Sequence, residues 1–151
     1  MKSYLLFLRG KPPCLKNSRV LISEGRGQPR IAPSAAVRAY LNAARLTIKR
    51  QFQNGFLLSC QVFVGVEIAV FGASDRLSSD LDNMYTTVQE SLIGTILEDD
   101  SQVVGFLALS ESAMDKAFEF ARIWVYPLEK CVSAADAAAA FLQDRLKGKE
   151  V

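Results

Sequence analysis

The chain has 151 residues, of which 50% are hydrophobic and 23% charged, with a formal net charge of +2 and no histidine. That composition excludes a disordered chain and suits one globular domain, here taken as residues 1–151. The small net charge hides an asymmetry: residues 1–50 carry eleven cations against Glu24 alone, while the other 101 residues carry seven cations and fifteen acids. A basic arm of that kind is a candidate polyanion surface and the acidic remainder a candidate metal site, unless the two halves simply neutralise each other in the fold.

No apolar run approaches the roughly 20 residues that span a bilayer, so no membrane contact is expected. Residues 1–8 hold one lysine and a short apolar stretch, which Arg9 ends before the h-region of an export signal can form; a cytoplasmic protein is expected. Cys14, Cys60 and Cys131 are odd in number, widely spaced and without a C-x-x-C pair. That argues against a disulfide framework or a zinc site and for buried or half-buried thiols.

In chain order, residues 3–8 read as a buried strand, since Tyr4 to Leu8 is an unbroken apolar run. Residues 9–33 form a long basic arm rich in proline, glycine and cations, with one short strand over 19–23. Loops of this length inside a domain are functional or disordered. Ser34 caps a helix that reaches about Phe52, with Val37, Tyr40, Leu41, Ala44, Ile48 and Phe52 on its buried face. Arg38, Asn42, Arg45 and Lys49 make a second stripe, either a solvated face or an extension of the basic arm toward phosphate.

Residues 61–71 alternate Val62, Val64, Val66, Ile68 and Val70 with Phe63, Gly65, Glu67, Ala69 and Phe71, a long β-branched strand. A turn leads from it to Asp80. Residues 103–109 and 117–126 predict two further strands joined by the polar "SESAMDK" loop as a hairpin. Phe118, Phe120, Trp124 and Tyr126 share one face of the second with Arg122, a core or interface row more than a base-stacking platform. Ser133 and Asp136 form a capping-box-like pair ahead of an alanine-rich helix over 133–147. The expected fold is α/β (α+β): a mixed sheet of about four strands, two main helices and an added C-terminal helix.

The stretch "SSDLDNMYTTVQESLIGTILEDDSQVV", residues 78–104, carries six carboxylates. Leu81, Tyr85, Val88, Leu92 and Ile96 have core spacing, which leaves Asp82, Thr86 and Glu90 as a row on the other side of a helix over 83–93, about 16 Å long. Gly94 stands at C′, and an extended return from it covers about 20 Å. The chain is thus long enough to bring Asp99 or Asp100 back to Asp80 and Asp82; a helix running on to Leu97 would need a partner subunit to close the gap. Gathered carboxylates need protons or a bridging cation, and an all-oxygen donor set selects Mg²⁺, or Mn²⁺, for phosphodiester hydrolysis. The plainer alternative keeps Asp80 or Asp82 as a helix N-cap and residues 98–100 as an exposed turn.

Asp80-Leu81-Asp82-Asn83, followed after Gly94 by Glu98-Asp99-Asp100-Ser101-Gln102-Val103, resembles the RusA family of Holliday junction resolvases, the crossover junction endodeoxyribonucleases of bacteria and their phages. The likeness runs from the first strand to about Tyr126; "GKPPCLKNSR", residues 10–19, is similar to the family's basic opening, and the helix over 133–147 is an addition. The resemblance implies a homodimer that grips four-way or branched DNA and nicks it symmetrically with Mg²⁺. It implies Asp80, Asp82 and Asp100 as metal-binding catalytic residues, Asp99 as the alternative third ligand, and Asn83 in support; Glu90, from the helical row, is the other supporting residue expected. Lys11, Lys16, Arg19, Arg26, Arg30 and Arg76 are the expected DNA contacts. One position departs: the family usually has a lysine three residues after the asparagine, and Thr86 stands there. An arm cation such as Lys11, Lys16 or Arg19 could substitute, the chain could cut slowly, or it could bind junctions without cutting; a structural domain whose acidic residues only cap helices is the remaining reading.

Overall fold

The computed structural model describes residues 2–15, 19–22, 30–52, 57–72, 77–128 and 132–147, with the backbone alone for Ile22, Arg30 and residues 77–80. In chain order the elements are β1 (Tyr4–Arg9), β2 (Arg19–Ile22), β3 (Arg30–Pro33), α1 (Ala35–Gln51), β4 (Val62–Phe71), α2 (Leu77–Leu92), β5 (Val103–Ala113), β6 (Phe120–Pro127) and α3 (Ala134–Lys147). They form one small α+β domain around a four-stranded mixed sheet of order β1-β6-β4-β5, with β2 and β3 as a separate two-stranded sheet.

The run of alternating valines and isoleucine makes β4 the central strand, because only a strand flanked on both sides and covered on both faces can bury nine successive residues. It pairs antiparallel with β6 (Glu67 opposite Arg122) and parallel with β5 (Val66 opposite Ala108). The expected β5–β6 hairpin is not formed. The two strands lie on opposite sides of β4, since α2 carries the chain back across the sheet before β5 begins, and such a crossover delivers a parallel strand. β6 then passes into the gap between β4 and β1.

Three other expectations change. The buried first strand is half open: Leu6 and Leu8 are buried, whereas Leu5 and Phe7 are 57% and 40% exposed. The basic arm holds a second short strand, β3, paired with β2. Phe118 belongs to a single 3-10 turn capped by Asp115 and is exposed, so it stands outside the aromatic row.

One face of the sheet packs Val62, Val64, Val66, Ile68, Leu6, Leu8, Ile123 and Val125 against Ala44 and Ile48 of α1 and Met84, Tyr85, Val88 and Leu92 of α2. Ser34 caps α1 as expected, its hydroxyl accepting from the Val37 N–H at 3.4 Å. The other face packs Phe63, Trp124 and Tyr126 against Ala137 and Phe141 of α3. Gly65 is required there, because a Cβ would lie 2.4 Å from the Phe141 ring. Ser133 and Asp136 cap α3 reciprocally, with the Asp136 carboxylate accepting from the Ser133 N–H at 3.0 Å. Their hydrogen bond holds the Asp136 carboxyl below its usual range.

A charged cluster fixes α3 on the sheet. Glu67 is 0% exposed, accepts from Arg145 Nε of α3 at 2.6 Å and lies 3.3 Å from Arg122 Nη1 of β6. Burial, then a hydrogen bond shared with Glu111 on β5, push the Glu67 carboxyl above the ordinary carboxylate range, while Arg145 opposes the rise. The folded chain therefore holds this proton more tightly than the unfolded chain. The associated stability is complete at acidic pH and is lost as pH rises from the ordinary carboxylate range through the raised value. Glu67→Gln, which cannot titrate, should be most destabilised relative to wild type at about pH 4, the deficit narrowing toward about pH 8 in urea unfolding.

Candidate functional site

α2 begins at Leu77, six residues before the expected start, so Asp80 and Asp82 lie inside the helix and neither is its N-cap. Of Asp80 only this backbone position is described. Asp82 is exposed, and Asn83, Thr86 and Glu90 are partly buried. The Thr86 hydroxyl turns back along the helix and donates to the Asp82 carbonyl at 2.9 Å.

Gly94 does reverse the chain, with φ +73. Leu92 O accepts from the N–H groups of Thr95, Ile96 and Leu97, and Gly94 N–H donates to Leu97 O at 2.7 Å. The return, however, does not climb back along α2. Leu97 bridges Leu58, and Gln102 Nε2 donates to Leu58 O at 2.6 Å and Cys60 O at 3.0 Å. Residues 94–102 are thereby fastened to the segment that precedes β4. Parallel pairing demands this, because β5 must start where β4 starts. Asp99 and Asp100 thus sit beyond the C-terminal end of α2, while ten residues of helix, about 15 Å, separate Asp82 from Leu92.

Asp99 and Asp100 have different surroundings. Asp99 is the N-cap of the 3-10 turn Asp100–Gln102, accepting from the Ser101 N–H at 2.8 Å, and the Gln102 side chain answers by accepting from the Asp99 N–H at 3.1 Å. Hydrogen bonds from the Ser101 side chain and then its backbone lower the Asp99 carboxyl below its usual range. Asp100 lies in the turn itself and is exposed. Among the described residues no three of histidine, cysteine, aspartate and glutamate stand close enough to hold one ion. The donor chemistry suits Mg²⁺ or Mn²⁺, but the described carboxylates of one chain are not gathered around either.

The basic arm meets α2 at a residue the sequence patterns do not mark. Thr87 is fully buried; its hydroxyl accepts from the Leu15 N–H at 3.1 Å and donates to Pro13 O. Residues 13–15 are thus fastened to the helical turn that carries Asn83 and Thr86. A threonine next to a row of polar residues gives no sign in the sequence of facing another segment.

Lys11 and Arg19 are exposed. Lys16, Arg26 and Arg76 lie outside the described residues, and Arg30 is described by its backbone only. In the second stripe of α1, Arg38 is exposed and donates to Pro33 O at 2.7 Å, whereas Arg45 is half-buried and donates to Glu90 O at 2.9 Å. Arg45 therefore joins α1 to α2 and is not a solvated phosphate contact. A cleft of about 370 Å³ between β1 and α1, lined by Phe7, Arg9, Tyr40, Thr47 and Gln51, lies at the sheet edge opposite β5 and away from the carboxylates. No helix among the described residues is long and apolar enough to cross a membrane. Compared with models of known protein families and with curated proteins, the chain matches none.

Replacing Thr87 by Val keeps the shape and removes both arm contacts. It should cost about 1–3 kcal/mol in urea unfolding and speed hydrogen exchange at the Leu15 amide, with the α1 amides unaffected.

Proposed function

We propose that this chain is the subunit of a dimeric, Mg²⁺-dependent endonuclease acting on four-way or branched DNA, of the kind the RusA resemblance suggests. The observation that carries the reading is the division of the carboxylates. Asp80 and Asp82 stand at one end of a parallel crossover and Asp99 and Asp100 at the other. Two copies related by a two-fold axis can set the first pair of one against the second pair of the other, giving two equivalent sites. Asp100 is the favoured ligand of its pair, because Asp99 is engaged in capping the turn. A divalent ion held there would polarise a phosphodiester and activate a water. The arm, fastened at Thr87 and flanked in sequence by Lys11 and Lys16, supplies cations for the phosphate backbone.

Thr86 supports a second reading, a junction-binding protein that cuts slowly or not at all. Its hydroxyl is spent on the Asp82 carbonyl, and it offers no charge to a phosphate oxygen.

The test is nicking of a synthetic four-way junction with Mg²⁺ or Mn²⁺. Asp82→Asn and Asp100→Asn should each abolish it, and co-expression of the two variants should restore nicking, since each mixed dimer keeps one intact site. Cleavage by either variant at the wild-type rate would sink the site assignment. Salt-sensitive binding without product in the wild type, with cleavage gained by Thr86→Lys, would establish the weaker enzyme.

A further inference from the structure

A cavity of about 330 Å³ opens on the α3 face of the sheet, just beyond the charged cluster around Glu67. Strand register places it. Arg122 of β6 stands beside Glu67, and one row further along, Ala69 of β4 lies between Glu111 of β5 and Phe120 of β6. Neighbouring strands are about 4.8 Å apart, so Glu111 and Phe120 face each other across about 10 Å with a methyl group as the floor. Ala113, Met114 and Phe118 line the remaining side, and the last two are 91% and 65% exposed. The result is a trough with an apolar floor and an apolar rim.

Two opposite charges line this trough. The Arg122 guanidinium lies against the Phe120 and Trp124 rings, 5.2 and 5.7 Å from their centroids, and turns Nη1 toward Glu67 at 3.3 Å. A guanidinium carries five N–H donors, so the Glu67 contact leaves it able to grip a second oxyanion. Glu111 shares a hydrogen bond with Glu67. Two carboxyl groups so close favour a proton or a cation beside them. We propose that the trough binds a free α-amino acid with a large apolar side chain. Its carboxylate pairs with Arg122 and its ammonium with Glu111, while its side chain lies over Ala69 among Phe118, Phe120 and Met114.

Charge complementarity selects that occupant. An apolar anion would meet Arg122 but also the Glu111 carboxylate, and an apolar cation would meet the reverse. A ligand that carries both charges on one carbon satisfies both walls. A peptide C-terminus offers the carboxylate without the ammonium beside it. Small-molecule sites run from about 300 to 1,000 Å³, and this cavity stands at the lower end, where one amino acid fits. The unbranched thioether of Met114 can adapt to side chains of different shape. The trough is on the face that α3 covers, whereas α2 with Asp82 packs on the other, so the proposal is independent of the nuclease reading.

The experiment uses the full-length protein without DNA or metal. Titration calorimetry with L-phenylalanine should give one site per chain with a Kd of about 0.1–1 mM. L-Leucine and L-methionine should also bind, and glycine should not. 3-Phenylpropionate and N-acetyl-phenylalanine lack the ammonium, 2-phenylethylamine lacks the carboxylate, and each should bind at least about tenfold more weakly. Ala69→Leu, which fills the floor, should abolish binding. If that variant does not fold, Met114→Ala, altered at an exposed side chain, should still weaken binding severalfold. In methyl NMR, phenylalanine should shift Ala69 and Met114 and leave Ala43 and Ala44, in the cleft beside β1, unmoved. Three results would each overturn the proposal: no saturable binding, an analogue with one charge binding as tightly as phenylalanine, or shifts at Ala43 and Ala44 instead.

Discussion

A strand can pair parallel with its predecessor only if the chain between them travels the full length of the sheet, and in this protein α2 makes that journey from Phe71 back to Val103. Much else follows from it. The residues after Gly94 are needed at the start of β4, so Gln102 fastens them to Leu58 and Cys60. β5 becomes an edge, β6 has to enter on the far side of β4, and the two acidic clusters are held apart by the length of the helix between them.

The two faces of the sheet are built on different principles. The α1 and α2 face packs apolar side chains on the sheet and draws mainly on burial, with Arg45 joining the two helices through the Glu90 carbonyl. The α3 face combines an aromatic cluster with the Glu67 carboxyl, two guanidinium groups and the neighbouring Glu111. Removing one partner from such a buried pair typically costs about 3–5 kcal/mol, because the other charge is left without compensation. The cluster thus commits α3 to one seat, which Gly65 makes possible by admitting the Phe141 ring.

Charge asymmetry acquires a structural meaning through the arm. Thr87 joins residues 13–15, a piece of the cationic third of the chain, to the same helix that bears Asp82. Arg45, by contrast, is drawn inward to a backbone carbonyl of α2, and its charge serves helix packing. Arginines of one stripe can therefore stay exposed, as Arg38 does, or become mortar, as Arg45 does, depending on which helix lies alongside.

Local patterns were enough for most of the elements. The alternation of Val62 to Val70, the cap at Ser34, the reciprocal pair at Ser133 and Asp136, and the reversal at Gly94 each depend on residues a few positions apart, and each stands in the structure as the sequence indicates. The mixed α+β class followed from their order. What the sequence alone could not determine was which strands are neighbours: the short polar loop between β5 and β6 reads as a hairpin, yet the two strands stand on opposite sides of β4. That choice rests on burial of β4 on both faces, a property of the whole assembly. The carboxylates show the same division. Their identity and their places at the two ends of α2 are local facts, but a chain long enough to bring Asp100 back to Asp82 does not do so, because the parallel pairing of β5 takes that length for the sheet.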